Sequence, residues 1–385
     1  MSISEKKEAK KILLIGQKKS NSTKMLQESA QKKGHSLTVE NPFDFQIEVG
    51  EQESQIFLRK APFDYNFYDV ILLRVSGRST EHGIYLAKHF ERVFSYDKIY
   101  NKSVSIEICR DKFVTHQYLS QNSIIRQATT LMTDEPDFEF TEKRLGLPFI
   151  GKINVGSSQG KGVFIVNDKD EFKEKVREYR YKTLIFQKYI ETKDETNTKS
   201  SDIRAFVVGG VVVAAYRRLS AGDDFRANYS ISKQGEKIDL TIEEKNMAIA
   251  AADATACDIA GVDILRKNGI PYLCEVNSNP SLNGITKITG HDVAGDIIDF
   301  LVGKTAPTNA TLSQNQFVRN NYVAFQIKKF DIKQIESQKK VELSILFDDW
   351  TNAFENNQVT KDQYRGFLNQ TLEYLIAKNK QNPFS

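Results

Sequence analysis

Three oxygen-bearing side chains between residues 261 and 277 have types that suit a hard metal ion. Asp263 lies in the apolar run 261–265, and Glu275 and Asn277 follow in a second short run after a turn at 267–269. Two adjacent antiparallel strands would bring all three side chains to one metal-sized spot. Carboxylate and amide oxygens suit Mg²⁺, which usually also keeps water and phosphate oxygens as ligands. We therefore predict a magnesium site here, and phosphate-binding features upstream would point to ATP chemistry.

A glycine-rich loop upstream has the composition of a phosphate cradle. Residues 156–162 read Gly-Ser-Ser-Gln-Gly-Lys-Gly and lie between two predicted strands, 149–153 and 163–166. Glycines let the backbone approach a ligand closely, and successive N–H groups can hold phosphate oxygens. The loop lacks the Gly-Lys-Ser/Thr ending of a P-loop and no helix follows it directly, so a plain hairpin turn is the alternative.

Two lysines lie at positions where the positive charge of the side chain would need a counter-charge or an anionic ligand. Lys152 lies on an otherwise apolar strand, where its charge must be paired or must reach an anion. Lys112 follows Arg110-Asp111 at the start of a predicted helix, 112–121. Either lysine alone is more often a surface residue, but together with the glycine loop and the acidic triad they favour nucleotide binding.

Arginines cluster around a predicted hairpin, 203–216, that turns through Gly209-Gly210. Converging guanidinium groups bind carboxylate and phosphate through two parallel hydrogen bonds. A solvated basic edge is the alternative interpretation. The polar residues at and after the hairpin ends are Asp202, Arg204, Arg217, Arg218, Arg226 and Asn228.

Composition narrows the class of partner. The 385 residues carry 54 Lys and Arg against 50 Asp and Glu, which is too balanced to indicate nucleic acid or a membrane surface as the main partner. No apolar run approaches the roughly 18 residues of a membrane span, and the charged N-terminus is not a signal peptide. Three scattered cysteines favour free thiols in a reducing cytoplasm, and the five histidines, which lack ligand spacing, are interpreted as structural.

Strands at 11–16, 36–39 and 68–74 alternate with helices at 22–33 and 80–96, which predicts a small α/β domain with a parallel sheet over residues 1–108. Ligands of such sheets bind at the carboxyl ends of the strands. Arg74, Ser76 and Arg78 follow a strand there. They are either substrate-facing or solvated loop residues.

Mixed strands and helices fill residues 109–304, with helices predicted at 168–180, 242–260 and 292–301. A linker-like stretch at 305–312 then leads to apolar residues at helical spacing over 332–356 and 360–380. We predict a C-terminal helical hairpin over 305–385, whose apolar stripes could pack on the same chain or on a second copy, so the oligomeric state stays open.

Taken together, these motifs resemble the ATP-grasp superfamily, and specifically its RimK-type carboxylate–amine ligases. The resemblance is collinear from about 109 to 302, looser over the first 108 residues and absent after 305. The matching stretches are 109–112, Lys152 with 156–162, 187–190, 202–204, 211–218, 224–228, 261–266 and 275–277. In this family position 188 is often Glu, whereas here it is Lys.

The resemblance implies an α/β (α+β) ATP-grasp fold: an N-terminal pre-ATP-grasp domain (1–108), a catalytic domain (109–304, with subdomains 109–190 and 191–304) and the appended helical hairpin. ATP would lie between two sheets. The residues that would contact it are Lys112, Lys152, Gly156, Ser157, Ser158, Gln159, Gly160, Gly162, Gln187, Lys188, Tyr189, Ile190, Asp202, Arg204 and Arg226. Asp263, Glu275 and Asn277 would hold one or two Mg²⁺ or Mn²⁺ ions.

The implied reaction joins a carboxylate to an amine through an acyl phosphate and releases ADP and phosphate. Arg217 or Arg218, with Asn228, would stabilise charge on the intermediate. The expected substrates are an amino acid or peptide carboxylate and an amine. Two alternatives stay open: a macrocyclase that joins side chains within one precursor peptide, and a non-catalytic ATP-binding regulatory protein.

Overall fold

The computed structural model describes residues 8–51, 54–156, 162–192, 199–220 and 234–303, which all belong to one unit of the chain, Met1–Asn315. The predicted helical hairpin lies outside the described residues. So do six of the predicted site residues: Ser157, Ser158, Gln159, Gly160, Arg226 and Asn228.

The strands, in chain order, are β1 (Lys11–Gly16), β2 (Ser36–Glu40), β3 (Phe45–Val49), β4 (Ser54–Leu58), β5 (Ala61–Pro62), β6 (Val70–Arg74), β7 (Ile99–Tyr100), β8 (Thr130–Met132), β9 (Phe149–Ile153), β10 (Val163–Val166), β11 (Leu184–Lys188), β12 (Ser201–Val208), β13 (Val211–Leu219), β14 (Gly235–Lys237), β15 (Ile259–Lys267) and β16 (Ile270–Asn277). The α-helices are α1 (Asn21–Lys32), α2 (Thr80–Val93), α3 (Ser103–Arg110), α4 (Lys112–Ser120), α5 (Phe138–Leu145), α6 (Lys169–Glu178), α7 (Ile242–Ala254), α8 (Leu282–Thr289) and α9 (Val293–Leu301). None of these helices is both long and apolar enough to cross a lipid bilayer.

The first sheet is parallel, with strand order β2-β1-β6-β7, and this confirms the parallel sheet predicted for the N-terminal region. The apolar side chains of β1 and β6 are buried, as expected of a sheet covered on both faces. Helix α1 begins at Ser20, whose hydroxyl accepts a hydrogen bond from the Thr23 amide at 3.1 Å. Helix α2 ends at Val93 rather than at Tyr96 as predicted, because Phe94 adopts an extended backbone.

Strands β3, β4 and β5 form a small antiparallel sheet in the N-terminal region, and two larger antiparallel sheets lie within residues 109–304. The second sheet has the order β10-β9-β11-β8, and the third has the order β14-β13-β12-β15-β16. Phe149 on β9 and Phe186 on β11 pack with Phe172 of α6 on one face of the second sheet, and the rings of Phe149 and Phe186 meet edge to face at 5.9 Å. Helix α7, through Met247 and its alanines, covers the third sheet.

The predicted helix 242–260 is wrong at its C-terminal end, because the helix stops at Ala254. The Thr255 hydroxyl donates to the Ala251 carbonyl at 2.8 Å. Ala256 then takes a left-handed conformation, with φ of 54°, and the chain enters β15 at Ile259. The last residues assigned to the helix therefore begin the strand that carries Asp263.

Asn101 joins the first sheet to the third. Its amide nitrogen donates to the carbonyls of Ile259 and Ser278, both at 2.7 Å, and its amide oxygen accepts from the Ile259 N–H at 2.9 Å. Asn279 adds a hydrogen bond to the Val75 carbonyl at 3.1 Å. These buried bonds fix the end of β16 against the carboxyl edge of the parallel sheet.

Candidate active site

A cavity of about 1050 Å³ is lined by residues of the first, second and third sheets. It brings together most of the predicted site residues that the structure describes: Lys112, Lys152, Gln187, Lys188, Tyr189, Ile190, Asp202, Arg204, Arg218, Asp263, Glu275 and Asn277. Arg74, Ser76 and Arg78 line its N-terminal end. Of the described site residues, Gly156, Gly162 and Arg217 are not in the lining.

The acidic hairpin, which is strands β15 and β16 with Asp263, Glu275 and Asn277, has the antiparallel pairing that the sequence predicts. In the β15–β16 register Asp263 lies opposite Glu275, and Asn277 lies opposite Gly261, two residues from Asp263. Side chains two residues apart on a strand share a face, and all three line the cavity. The turn places Asn268 and Gly269 at positive φ, 50° and 78°, as a tight two-residue hairpin connection requires.

This donor set fits an oxygen-preferring cation. Among the described residues no three His, Cys, Asp or Glu side chains converge as metal ligands. The donors on the acidic hairpin are the carboxylates of Asp263 and Glu275 and the amide of Asn277. The Asn277 amide nitrogen donates to the Gly261 carbonyl at 3.4 Å, which leaves the amide oxygen for a ligand. Mg²⁺ would complete its shell with water or phosphate oxygens.

Asp263 also belongs to a buried network of two arginines and two aspartates. Arg204 binds it through two hydrogen bonds of 2.7 and 2.6 Å, and Arg218 approaches the same carboxylate at 2.9 Å. Arg218 forms a second two-bonded pair with Asp202. These contacts balance two positive with two negative charges on the face of the third sheet.

The two aspartates differ in how readily they ionise. Burial and the nearby Asp263 raise the pKa of Asp202 to about 6, against the attraction of Arg218. Burial also opposes ionisation of Asp263, but Arg204 and Arg218 outweigh it and lower the pKa of that carboxyl. Asp263 is therefore ionised at neutral pH.

Arg217 and Arg218 face opposite sides of β13. The Arg218 side chain is 3% exposed and lines the cavity, whereas that of Arg217 is 27% exposed and pairs with Glu236 at 3.1 Å. Alternation along the strand is the reason, because successive side chains point to opposite faces. Of the two arginines predicted to act on an intermediate, only Arg218 is near the cavity.

Lys152 is held by a directional chain of hydrogen bonds. Its ammonium donates to the Gln187 amide oxygen at 2.7 Å, and the Gln187 amide nitrogen lies 3.2 Å from Nε2 of His116. Nδ1 of His116 lies 2.7 Å from the Gln127 amide oxygen, and the Gln127 amide nitrogen donates to the His116 carbonyl. Only a neutral His116 protonated at Nδ1 satisfies every member of this chain.

Burial, followed by the positive charge of Lys152, lowers the pKa of His116 to about 4. The imidazole is therefore neutral at physiological pH and can accept from Gln187. The interpretation of all histidines as merely structural overlooked this position. A signal was present, because His116 lies four residues after Lys112 on α4 and such pairs share a helix face.

Helix α4 positions Lys112 beside the hairpin. Asp111 caps the helix by accepting from the Val114 amide at 2.9 Å, and Asn154 binds the Phe113 amide at 2.9 Å. The Lys112 ammonium donates to the Asn154 carbonyl at 3.3 Å. Burial lowers the pKa of Lys112, and the negative charge of Glu275 on the acidic hairpin opposes this shift.

The end of β11 forms the opposite wall of the cavity. The Lys188 amide donates to the Thr129 carbonyl at 2.9 Å, while Tyr189 and the buried Ile190 continue beyond the strand.

Gly162, the last residue of the predicted glycine-rich loop, takes a φ of 71°, and its carbonyl accepts from the Ile153 amide at 2.9 Å. A β-carbon at Gly162 would meet Ile153 at 2.4 Å, so glycine is required there.

Comparisons with known proteins agree with this arrangement. Residues 109–301 match the model of the RimK-like ATP-grasp domain, and residues 10–106 match that of the RimK PreATP-grasp domain. The chain therefore belongs to the RimK-like ATP-grasp family, and it is an enzyme of the ATP-grasp ligase class.

Similar proteins cover nearly the same span of the chain. A probable alpha-L-glutamate ligase of Aliivibrio fischeri (strain MJ11) is 33% identical over 298 residues, which are 77% of this chain and 95% of the relative. A probable alpha-L-glutamate ligase of Picosynechococcus sp. is 33% identical over 78% of this chain and 98% of its own length. The ATP-grasp ligase PsnB, solved with a minimal precursor, has a TM-score of 0.59 at 18% identity and covers 76% of this chain and 99% of its own.

Proposed function

We propose that this chain is an ATP-dependent carboxylate–amine ligase that activates its carboxylate as an acyl phosphate and releases ADP and phosphate. One observation carries the proposal: a single cavity holds two lysines, Lys112 and Lys152, against the two carboxylates and the amide of the acidic hairpin. Cations for phosphate and oxygens for a metal thus meet in one space large enough for a nucleotide and a second substrate.

A carboxylate is a poor electrophile, and transfer of the γ-phosphoryl group of ATP to it supplies a leaving group. An amine then attacks the acyl carbon, and phosphate departs from the tetrahedral intermediate. Such reactions depend mostly on positioning and on neutralising charge. Lys112 and Lys152 would offset negative charge on the phosphates, and Gln187 with His116 would keep Lys152 directed into the cavity.

Asp263, Glu275 and Asn277 would hold the metal, which supplies further charge neutralisation on the phosphates when bound. Arg204 and Arg218 would fix the Asp263 carboxylate in a single orientation. The action of Arg218 with Asn228 on an intermediate rests on the resemblance to the family, because Asn228 lies outside the described residues.

Glutamate is the first substrate to test, because the similar curated relatives are named as probable alpha-L-glutamate ligases. A peptide substrate is the second candidate, since PsnB has been solved with a minimal precursor, Mg and ADP. A macrocyclase that acts within one precursor peptide is a special case of this candidate. A non-catalytic ATP-binding protein would keep the cavity but release no ADP.

The test is ADP release from Mg-ATP by the full chain, supplied with L-glutamate, other amino acids, dipeptides and acidic peptides, with mass spectrometry of the products. The expected result is substrate-dependent ADP and a product whose mass is the sum of acid and amine less one water. Formation of AMP and pyrophosphate would refute the acyl-phosphate route. ATP binding with no ADP release from any substrate would favour the non-catalytic alternative.

A further inference from the structure

The N-terminal end of the cavity contains a buried arginine whose one described partner is neutral. Arg74 ends strand β6, is 6% exposed and lines the cavity. Its guanidinium donates to the carbonyl of Pro280 at 2.6 Å. Within the described ranges of the chain it makes no ion pair with a carboxylate, in contrast to the buried Arg204 and Arg218.

The surroundings of Arg74 suit an anion. Uncharged hydroxyl and amide side chains line this end of the cavity, and its other charged side chain is Arg78 at the exposed mouth. The acidic residues in the described lining, Asp202, Asp263 and Glu275, belong to the third sheet. The uncharged side chains with donor groups at this end of the cavity include Ser20, Asn21, Ser76, Ser281 and Asn283.

A buried guanidinium that hydrogen-bonds only to a neutral carbonyl is costly, because water that would solvate the charge has been removed. Burial lowers the pKa of Arg74 to about 10, so the side chain still carries its charge at neutral pH. A planar guanidinium has five N–H donors in a fork that matches a carboxylate. An anionic ligand would offset the cost of burying this charge.

We propose that Arg74, with Arg78 at the mouth, binds a substrate carboxylate that is not the one activated by ATP. The inference rests on the proposed ligase function and specifies its substrate: a dicarboxylic amino acid or an acidic peptide. The bound carboxylate belongs either to the acid substrate or to the amine substrate.

The position of Arg74 places this subsite next to the reacting end of the cavity. Arg74 is bound to Pro280, and Pro280 follows Asn277 by three residues, a distance of at most about 11 Å along an extended chain. Asn279 holds the same segment to Val75, the residue after Arg74. A molecule with two carboxylates could therefore place one near the acidic hairpin and the other on Arg74.

The test uses the full chain saturated with Mg-ADP, and measures the Kd of L-glutamate and of the dipeptide Glu-Glu by calorimetry. Arg74→Gln removes the charge but can still donate to the Pro280 carbonyl, and Arg74→Lys keeps the charge without the fork. Arg92→Gln is the matched control, because Arg92 is an exposed arginine on α2 of the same region and does not line the cavity. Arg78→Gln, at an exposed position, is the variant to use if Arg74→Gln does not fold.

The expected result is that Arg74→Gln weakens binding of the better probe by about tenfold to a hundredfold, the range of a hydrogen bond to a charged group. Arg92→Gln and the wild type should bind alike, and the Kd of Mg-ADP should be unchanged in all variants. The same measurement is repeated with analogues of the better probe in which one carboxylate is replaced by a carboxamide. The wild type should bind one of these analogues more weakly than the probe itself, whereas Arg74→Gln should bind that analogue and the probe with equal affinity.

Three outcomes would overturn the subsite: wild-type protein that binds neither probe, equal probe affinity in wild type and Arg74→Gln, or weakened binding of Mg-ATP instead of the probes. Under turnover, the substrate whose KM rises in Arg74→Gln identifies which substrate carries the carboxylate. The proposed ligase function fails separately, through absence of ADP release by the wild type. Normal ADP release with an unchanged Kd in Arg74→Gln would refute the subsite alone.

Discussion

The cationic side chains that line the cavity from the third sheet and from the second sheet have opposite kinds of partner. On the third sheet, Arg204 is bound to the carboxylate of Asp263, and Arg218 is bound to the carboxylates of both Asp202 and Asp263. On the second sheet, Lys152 donates to the neutral amide of Gln187, and no described residue gives it a carboxylate partner. The two walls face each other across one cavity.

This difference distinguishes cationic side chains that stabilise the fold from cationic side chains that are available to bind a ligand. A charge neutralised within the chain has little to gain from a phosphate, whereas a charge oriented by a neutral amide keeps most of its electrostatic attraction. Under the proposed function, the arginines would fix the aspartate that holds the metal, and Lys152 would bind the nucleotide. The comparison predicts that substitution of the third-sheet arginines lowers stability, and that substitution of Lys152 on the second sheet lowers activity.

The largest effect on stability is expected from Arg218→Met. This change leaves two buried carboxylates without their shared partner, and loss of one member of a buried ion pair costs about 3–5 kcal/mol of unfolding free energy. The adjacent Arg217→Met is the matched control, because it breaks only a partly exposed pair with Glu236, worth at most about 1 kcal/mol. Urea unfolding followed by circular dichroism measures both variants.

Equal losses in the two arginine variants would contradict the distinction between the faces of β13. A second change sharpens the test. Adding Asp202→Asn to Arg218→Met should recover part of the lost stability, because it removes one of the stranded carboxylates. No recovery would mean that Arg218 stabilises the fold by packing rather than by charge.

Lys152→Met should lower activity and leave stability nearly unchanged. Removal of one electrostatic contact to the reacting groups typically reduces kcat about a hundredfold to a thousandfold, while replacement of a lysine that lacks a described carboxylate partner by an apolar residue costs the fold little. ADP release and urea unfolding give the two readouts. Lys169→Met, on the exposed surface of α6 in the same subdomain, is the control. The opposite result would be an unfolding free energy of Lys152→Met that is lower by several kcal/mol, with normal activity of the folded fraction. That result would mean that Lys152 stabilises the fold, as the arginines of the third sheet do.

The smallest effect concerns pH and His116. The folded-state pKa of His116 is about 4, below the value of roughly 6.5 in an unfolded chain. The unfolded chain therefore binds more protons between these values, and the unfolding free energy falls as the pH drops through this window. By pH 5 the loss attributable to His116, relative to pH 8, is about 2 kcal/mol.

His116→Gln should remove this part of the pH dependence, because glutamine does not titrate. The raised pKa of Asp202 acts in the opposite direction between pH 4 and 6, so the difference between wild type and variant is the quantity to compare. Unfolding curves at pH 5 and pH 8 measure it. A parallel pH dependence in both proteins would mean that His116 is not buried in the neutral form.

Local sequence patterns predicted the backbone of the site better than its charge pairing. The acidic hairpin followed from two strand-like runs around Asn268-Gly269, and the parallel sheet followed from the buried runs of β1 and β6. Strand alternation implied that Arg217 and Arg218 face apart, but not which one faces the cavity. That choice depends on how the third sheet packs against the rest of the molecule.

Contacts between distant residues could not be predicted from a single sequence. Arg74 and Pro280 are 206 residues apart, and Asn101 and Ile259 are 158 apart. Nothing in the composition around Arg74 indicates that its described partner is a carbonyl rather than a carboxylate. The end of helix α7 at Ala254 was mispredicted for a related reason. Alanines favour a helix locally, but Ala256 adopts a left-handed conformation that leads the chain into β15.

The most direct test of the account is the effect of Mg²⁺ on nucleotide binding by wild type and Glu275→Ala. The account predicts that Mg²⁺ tightens the binding of ADP to the wild type, and that Glu275→Ala loses this Mg²⁺ dependence and its ADP release while remaining folded. Glu236→Ala, an exposed glutamate on the third sheet outside the cavity, should behave as the wild type. An equal response to Mg²⁺ in wild type and Glu275→Ala would contradict the assignment of the acidic hairpin as the metal site.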